Sequence, residues 1–546
     1  MDPISLEGAA GQPEWPVAAT SGGHRALARV AIGAGVVVIG ALLGAAIARL
    51  SQEIPLNSDQ SGSVLEGWAM GHGNLLLGGW TLPSDSFFTS KLPLLALLER
   101  FQGLTANVEY EAAGILGAGI VLAGAWLAVG RLRGSTRWVA ILVTGALLTA
   151  QVLLIPGPGN PFPSGQMLPA GSDHGASLLL LLLAWLALQH PRGSRLWLVV
   201  TWVALVAASA GDPLAGVAGG GAIALVGAID LAAGRRDGAR WDALLVAIGV
   251  SSVAVAPAFW WGMRQVGGFT AAPVLGGGYG LPPLVSSLSH NLAVGGSALL
   301  TVFGADPVDQ SSGLALVSSL LHLCGLALVL AVLAWLLRPR RWLGLDVVSR
   351  VLVAGVLVDA VAYLVGQQST NLTSARYLVP LLGFGAVLAG REGVPRVLAF
   401  RPRLGAGVLL ALSFAYIVVF AAGAITAQPA AAPLAAVTSW LSQQGASTGL
   451  ATYWDADVVT VSTRGAIAAR PIATTPDSVG PYLWHATVAW YDPSSNRATF
   501  VLLEEGDTSD RAAVEKVLGL PAVTQTVDGT TILVWTRNLL SSLDPP

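Results

Sequence analysis

Residues 58 to 99, SDQSGSVLEGWAMGHGNLLLGGWTLPSDSFFTSKLPLLALLE, gather Asp59, Asp85, Lys91, His72, Trp68 and Trp80 between two long apolar runs, near 28–50 and 110–130. A helix needs about 20 apolar residues to cross the hydrocarbon layer of a bilayer. Both flanking runs meet that length, so the stretch reads as a loop held at a membrane surface. Ser61 to Leu77 suits a helix lying along that surface, with Leu65, Trp68 and Leu76 near one face. Gly78-Gly79 ends it, Leu82-Pro83-Ser84-Asp85 reads as a turn, and a second short helix is expected through Leu92 to Leu98.

The rest of the chain agrees with a membrane setting. It is 53% hydrophobic and 11% charged, with mean hydropathy +0.66, whereas soluble domains carry about 25% charged residues. A net charge of −2 gives no basic footprint for a nucleic-acid partner. The single cysteine, Cys324, lies in an apolar run and supports no disulfide framework. Further apolar runs fall near 137–155, 174–190, 195–211, 213–233, 241–262, 313–337, 347–367, 377–391 and 404–427, making about eleven candidate spans. Residues 1–27 form a polar tail, expected to be disordered and not a cleaved signal peptide.

Arginines mark every second loop: Arg25 and Arg29, Arg131 to Arg137, Arg192 and Arg195, Arg235 to Arg240, Arg338 to Arg341, and Arg391 to Arg403. Positive residues stay cytoplasmic. The N-terminus is therefore expected inside, with the 51–109 loop and the chain after residue 428 outside. The outer side then collects Asp173 and His174 at the head of the fourth run, Asp212 in a Gly-Asp-Pro turn, Arg264 and His290 in the 263–312 loop, and Arg376 and Tyr377 before the tenth run. Charges this near the hydrocarbon are costly unless paired or hydrated, so function is the default reading. Asp173 also suits a helix N-cap, which does not exclude catalysis.

Four other features have a plain structural reading beside a functional one. Asp359 falls inside a span and suits either a helix–helix hydrogen bond or a cavity lining. His322 reads as a packed core residue. The glycine-rich segment around Gly276 to Gly280 lacks a P-loop context and reads as a mobile, substrate-covering loop. Asn371-Leu372-Thr373 matches a glycosylation sequon without further support.

After residue 428 the pattern alternates instead. TGLATYW, ARPIATT, ATFVLLEE, AVTQTV and TTILVWT read as strands, Ala432 to Gln444 and Ser509 to Leu518 as helices, and Asp528-Gly529 as a hairpin turn. Residues 429–546 thus form a small α/β domain, whose Tyr453, Trp454, Trp484, Trp490 and Tyr491 suit either core packing or stacking on sugar rings.

The layout resembles the GT-C glycosyltransferases that use polyprenyl-phosphate sugars, in particular the protein-mannosyltransferase and aminoarabinose-transferase branch. The resemblance rests on Ser58-Asp59-Gln60 after the first span, Gly79-Trp80, Lys91-Leu92-Pro93-Leu94-Leu95 before a second interfacial helix, Asp173-His174-Gly175-Ala176-Ser177-Leu178, and Arg376-Tyr377-Leu378-Val379-Pro380. It covers roughly residues 28 to 430, and implies a transmembrane domain over 28–428. Gln60 stands where the family usually has a second acid, and the usual Glu-Lys-Pro-Pro is loosened to Ser90-Lys91-Leu92-Pro93.

This resemblance implies an inverting glycosyltransferase (EC 2.4) of the cell membrane. Sugar would pass from a polyprenyl-phosphate donor to an extracytoplasmic acceptor, which is a cell-envelope glycan, lipid or protein. Asp59 matches the family's motif position for the general base, with Asp85 and Asp173 as further catalytic acids. Lys91, Arg264, Arg376, His72 and His174 are candidates for the donor phosphate. Trp80, Asp212, His290 and Tyr377 are candidates for contact with substrate. A divalent cation, Mg or Mn, is a candidate ligand of Asp85 and Asp173, since hard ions take oxygen ligands. Two other readings compete: a transporter or lipid flippase, which usually shows internal repeats, and a non-catalytic scaffold that binds envelope glycan.

Overall fold

The structure, a computed structural model, describes residues 22–149, 173–190, 194–234, 238–272, 284–306, 313–342, 344–366 and 372–544. Residues 1–21 of the expected tail 1–27, residues 276–280, Asn371 and the Asp173 side chain lie outside the described residues; residues 22–27, expected to be disordered, instead open the helix Gly22–Ser51. Every one of the eleven apolar runs is helical over most of its described length. Among the described residues eight helices are long and apolar enough to span a bilayer: Val30–Ser51, Asn107–Val129, Pro213–Ala232, Ala239–Gln265, Leu316–Leu336, Val347–Val365, Ser374–Phe400 and Pro402–Thr426. His174–Leu188 and Arg195–Gly211 are shorter apolar helices. The chain is a multi-pass membrane protein.

Helices in such a bundle approach closely where residues are small, because hydrocarbon offers no competing drive for large ones. The first two long helices meet this way: a Cβ on Gly114 would stand 2.4 Å from the Gly44 carbonyl oxygen. Buried polar groups are satisfied across helices. The Asp359 carboxylate accepts from the Leu381 amide at 3.0 Å, one of the orphan donors at a helix N-terminus. His322 is buried, bonded through Nδ1 to the Gly304 carbonyl at 3.0 Å and stacked on Tyr416. Arg350 pairs with Asp230, both buried.

Two expectations need correcting. The first surface helix, α1 (Ser58–Gly71), starts three residues early and stops six residues short of Leu77. Asn57 and Gln60 form a reciprocal capping box at its start, which explains an amide where an acid was expected. At its end Gly71 lies against the Ala96 carbonyl, and Gly73 turns the chain at φ +106°. The second surface helix, α2 (Leu92–Gln102), packs on α1. The 263–312 region, read as a long outer loop, contains the 19-residue helix Leu284–Val302. Ala298, Val302 and Phe303 of that region are buried while Leu288 and Leu292 face outward, and Asn291 Nδ2 donates to the Leu364 carbonyl at 2.8 Å, closing a neighbouring helix end.

The strands are β1 (Trp80–Leu82), β2 (Thr270–Ala271), β3 (Thr448–Thr452), β4 (Ala468–Thr475), β5 (Ser478–Pro481), β6 (Ala486–Thr487), β7 (Phe500–Glu504), β8 (Val523–Val527) and β9 (Thr530–Val534). Six form the sheet of the C-terminal domain, in the order β5-β4-β3-β7-β9-β8, with β3 parallel to β4 and β7. Asp528 and Gly529, at φ 51° and 80°, make the β8–β9 hairpin turn. The segment TGLATYW is strand only to Thr452; Tyr453–Ser462 is a helix that packs on α1.

A second, three-stranded sheet fastens this domain to the bundle. Its order is β2-β1-β6, so the first surface loop pairs on one side with residues after the Ala239–Gln265 helix and on the other with the C-terminal domain. Trp80 packs edge-on against Trp490, whose ring lies under the Arg470 guanidinium at 3.9 Å.

Candidate active site

The first turn of α1, the turn after β1, the head of the Asp173–Leu188 helix, the Leu372–Leu378 3-10 helix and the C-terminal domain surround one cavity of about 480 Å³. Its lining includes Asp59, Asp85, His174 and Arg376, four of the residues singled out from the sequence.

Asp59 is placed by the Asn57 cap, which fixes the first turn of α1. Its Oδ2 lies 3.6 Å from Arg376 Nη1, and the Tyr453 phenol of the C-terminal domain donates to its Oδ1. Ser58 Oγ donates back to the Tyr453 carbonyl. The start of α1 is thereby latched to the start of the Tyr453–Ser462 helix. Arg376 also reaches the Tyr377 hydroxyl at 3.4 Å, while its buried Nε has no partner among the described residues. That donor remains available to a ligand.

Asp85 sits on the same cavity without an ion pair among the described residues. Burial pushes its carboxyl above the ordinary range, an effect that His174 and Arg376 partly offset and Asp212 adds to. Phe87 next to it adopts φ 49° and His485 across the cavity φ 55°, conformations uncommon for residues with a Cβ. Strain of this kind gathers at functional sites.

His174 is oriented from behind. Its Nδ1 lies 2.8 Å from Asp212 Oδ2, both side chains being almost wholly buried. Asp212 Oδ1 accepts from the Leu214 amide at 3.0 Å, so one carboxylate caps a helix and fixes an imidazole. The rings of Phe87 and Tyr377 meet His174 edge-on.

The remaining candidates stand elsewhere. Lys91 is buried and pairs with Glu109 at 2.8 Å, outside the cavity lining. Nearby Glu99 is pushed up to about 9 by burial and by Glu109, and so is protonated at neutral pH. His72 is exposed at the end of α1, its ring 3.6 Å from that of Trp68. Arg264 and His290 are exposed, and Trp80 belongs to the interdomain joint. Asp173 begins its helix, but its side chain lies outside the described residues. Among the described residues no three His, Cys, Asp or Glu side chains converge as metal ligands.

Sequence reading missed the contacts that the C-terminal domain makes with α1. His485 Nδ1 lies 2.8 Å from Glu66 Oε1, both buried. Asp457 is fully buried, with neither oxygen hydrogen-bonded among the described residues. Burial pushes its carboxyl up to about 7, against the pull of His485 and Arg470. The one available signal was a run of polar residues, Asp455, Asp457 and His485, in segments otherwise suited to a core.

No protein-family model matches the sequence, and no curated protein matches it. Among solved structures the chain is similar to ArnT from Cupriavidus metallidurans, determined bound to undecaprenyl phosphate, with a TM-score of 0.50 and 14% identity over 94% of this chain and 99% of that one. At that identity the likeness is one of fold: the chain has an ArnT-like fold, a helical membrane domain with interfacial helices and a C-terminal strand-containing domain.

Proposed function

We propose that the chain is an inverting glycosyltransferase of the cell membrane, which moves a sugar from a polyprenyl-phosphate donor to an acceptor on the extracytoplasmic side. The observation that supports this reading is the convergence of two carboxylates, Asp59 and Asp85, with Arg376 and the Asp212-backed His174 on one cavity where the bundle meets the C-terminal domain. The arginine pattern orients that end outward, with the N-terminus in the cytoplasm.

The chemistry divides between the two kinds of charge. A carboxylate takes the proton of the acceptor hydroxyl as its oxygen bonds to the anomeric carbon. The bond from that carbon to the phosphate oxygen breaks, and the electron pair leaves with the lipid phosphate. Arg376 and His174 face the developing phosphate charge, which preorganised donors stabilise. Asp59 is already engaged by Tyr453 and Arg376, whereas Asp85 has a raised proton affinity and no ion pair among the described residues. A base works best with a pKa near the working pH, so Asp85 takes the proton and Asp59 fixes Arg376.

The test is an assay of the purified protein with a panel of polyprenyl-phosphate sugars, alongside Asp85→Asn and Asp59→Asn. Turnover with at least one donor, abolished by Asp85→Asn, is expected. No turnover with any donor would remove the enzyme reading.

A further inference from the structure

The cavity has two walls of unlike chemistry. The wall from the membrane bundle carries Asp59, Asp85, His174 and Arg376. The wall from the C-terminal domain is aromatic, built from Tyr453, Trp454, Tyr482 and Trp484, with Thr474 and Asp510 beside them. This second wall has almost no free charge: His485 is paired with Glu66, which leaves the Asp510 carboxylate as the main formal charge.

The rings are held in place and left accessible. Trp454 is 62% exposed although it lines a cavity. Its ring meets Tyr453 edge-on at 5.1 Å, and Tyr453 meets Tyr482 at 5.2 Å. Thr474 donates to Asp510 Oδ1 at 2.5 Å; an ionised carboxylate has about four lone-pair sites, so acceptor capacity remains for ligand hydroxyls. A flat apolar face next to a hydroxyl acceptor fits a ring with C–H groups on its faces and hydroxyls at its edge. A phosphate would be repelled by Asp510 and would find no unpaired cation on this wall among the described residues.

We infer, resting on the reading of this cavity as a glycosyltransferase site, that the aromatic wall is the acceptor subsite and that the acceptor is a carbohydrate stacked on Trp454 and Trp484 with its hydroxyls on Asp510. Tyr453 joins the two walls. Its ring belongs to the aromatic group while its hydroxyl binds Asp59, so a sugar on this wall lies beside the carboxylates of the opposite one. The volume of about 480 Å³ falls within the range of small-ligand sites, about 300–1,000 Å³.

The experiment is saturation-transfer NMR on the full chain in nanodiscs. The probes are short neutral oligosaccharides of hexose and pentose type, the same saccharides carried on a lipid, and a serine- and threonine-rich peptide. Undecaprenyl phosphate binding is measured on the same samples. At least one saccharide should receive saturation on its ring protons. Trp454→Ala and Trp484→Ala should each weaken it about tenfold, equivalent to about 1.4 kcal/mol, and Trp454→Phe should retain most of the affinity. Lipid-phosphate binding should be unchanged in all three variants. A preference for the lipid-borne form assigns the acceptor to a glycolipid headgroup, and equal binding assigns it to a free glycan. No transfer to any saccharide, transfer that survives both alanine variants, or binding of the peptide alone would each overturn the inference. If saccharides bind but undecaprenyl phosphate does not, the donor reading fails instead, and the aromatic wall stands as a carbohydrate site.

Discussion

The Tyr453 hydroxyl, in the C-terminal domain, donates a hydrogen bond to Asp59 Oδ1 in the first turn of α1. A residue far along the chain thus holds the carboxylate that opens the first surface helix. Hydrogen bonds to charged groups contribute about 1.5–3 kcal/mol, enough to decide which way Asp59 faces. Tyr453→Phe keeps the ring and its packing on Trp454 and Tyr482 but removes the donor. It is expected to lower kcat about tenfold, the lower end of what losing one hydrogen bond to a charged group costs, because Asp59 then fixes Arg376 less firmly, while the KM for donor lipid moves less. Steady-state kinetics check this, and an unchanged kcat would show that Asp59 is held without Tyr453.

Asp85 sets a pH dependence. A base must be ionised to accept a proton, and burial raises the Asp85 carboxyl above the ordinary carboxylate value, which is about 3.9. Activity should therefore fall on the acid side at a pH higher than an ordinary carboxylate would give. The kcat/KM profile of the wild type should show that limb. Asp85→Asn should lack it, together with at least a hundredfold loss of rate, about the lower bound for losing a general base. A limb that persists unchanged in Asp85→Asn would move the proton transfer to another group.

The apolar helices were legible because hydropathy is a local property: each of the eleven apolar runs is helical over most of its described length, and among the described residues eight of these helices are long and apolar enough to span a bilayer. Asp59, Asp85, His174 and Arg376 were legible for the same reason, as polar residues out of keeping with their surroundings. Tertiary pairings were not. TGLATYW alternates like a strand, yet Tyr453 leaves the sheet to begin a helix against α1. β1 and β6 pair over two residues each side, Trp80↔Thr487 and Thr81↔Ala486, too short to leave a periodic signal. Lys91 stands out in the sequence as a lone cation, and nothing near it announces that Glu109 will supply its partner.

Lys91 and Glu109 predict a stability effect that separates two roles. Removing one member of a buried ion pair leaves an uncompensated charge and costs about 3–5 kcal/mol, whereas replacing both with apolar residues of similar volume is often neutral. Lys91→Met should sharply lower the thermal stability of the detergent-solubilised protein, and Lys91→Met with Glu109→Leu should recover most of it. Donor-lipid binding in the double variant settles the role expected from the sequence. Retained binding makes Lys91 a structural partner of Glu109, and lost binding in a stable double variant makes it a phosphate ligand.

The contact between α1 and the Tyr453–Ser462 helix should loosen as pH rises. Burial alone would lower the His485 imidazole, but Glu66 outweighs it and brings it to about 9, above the unfolded value of about 6.5. The folded state holds that proton more tightly, so its contribution to stability is complete below pH of about 6.5 and is lost as pH rises through about 9. Asp457 acts in the same direction at lower pH. Burial pushes it up to about 7, so its contribution is lost as pH climbs from about 3.9, the unfolded value, to about 7. Hydrogen exchange along Tyr453–Ser462, corrected for intrinsic rates, should show protection falling steadily across this range. Asp457→Asn should flatten the fall below pH 7 and leave the upper part, which belongs to His485 and Glu66. The same slope in the variant and the wild type below pH 7 would show that Asp457 does not titrate there.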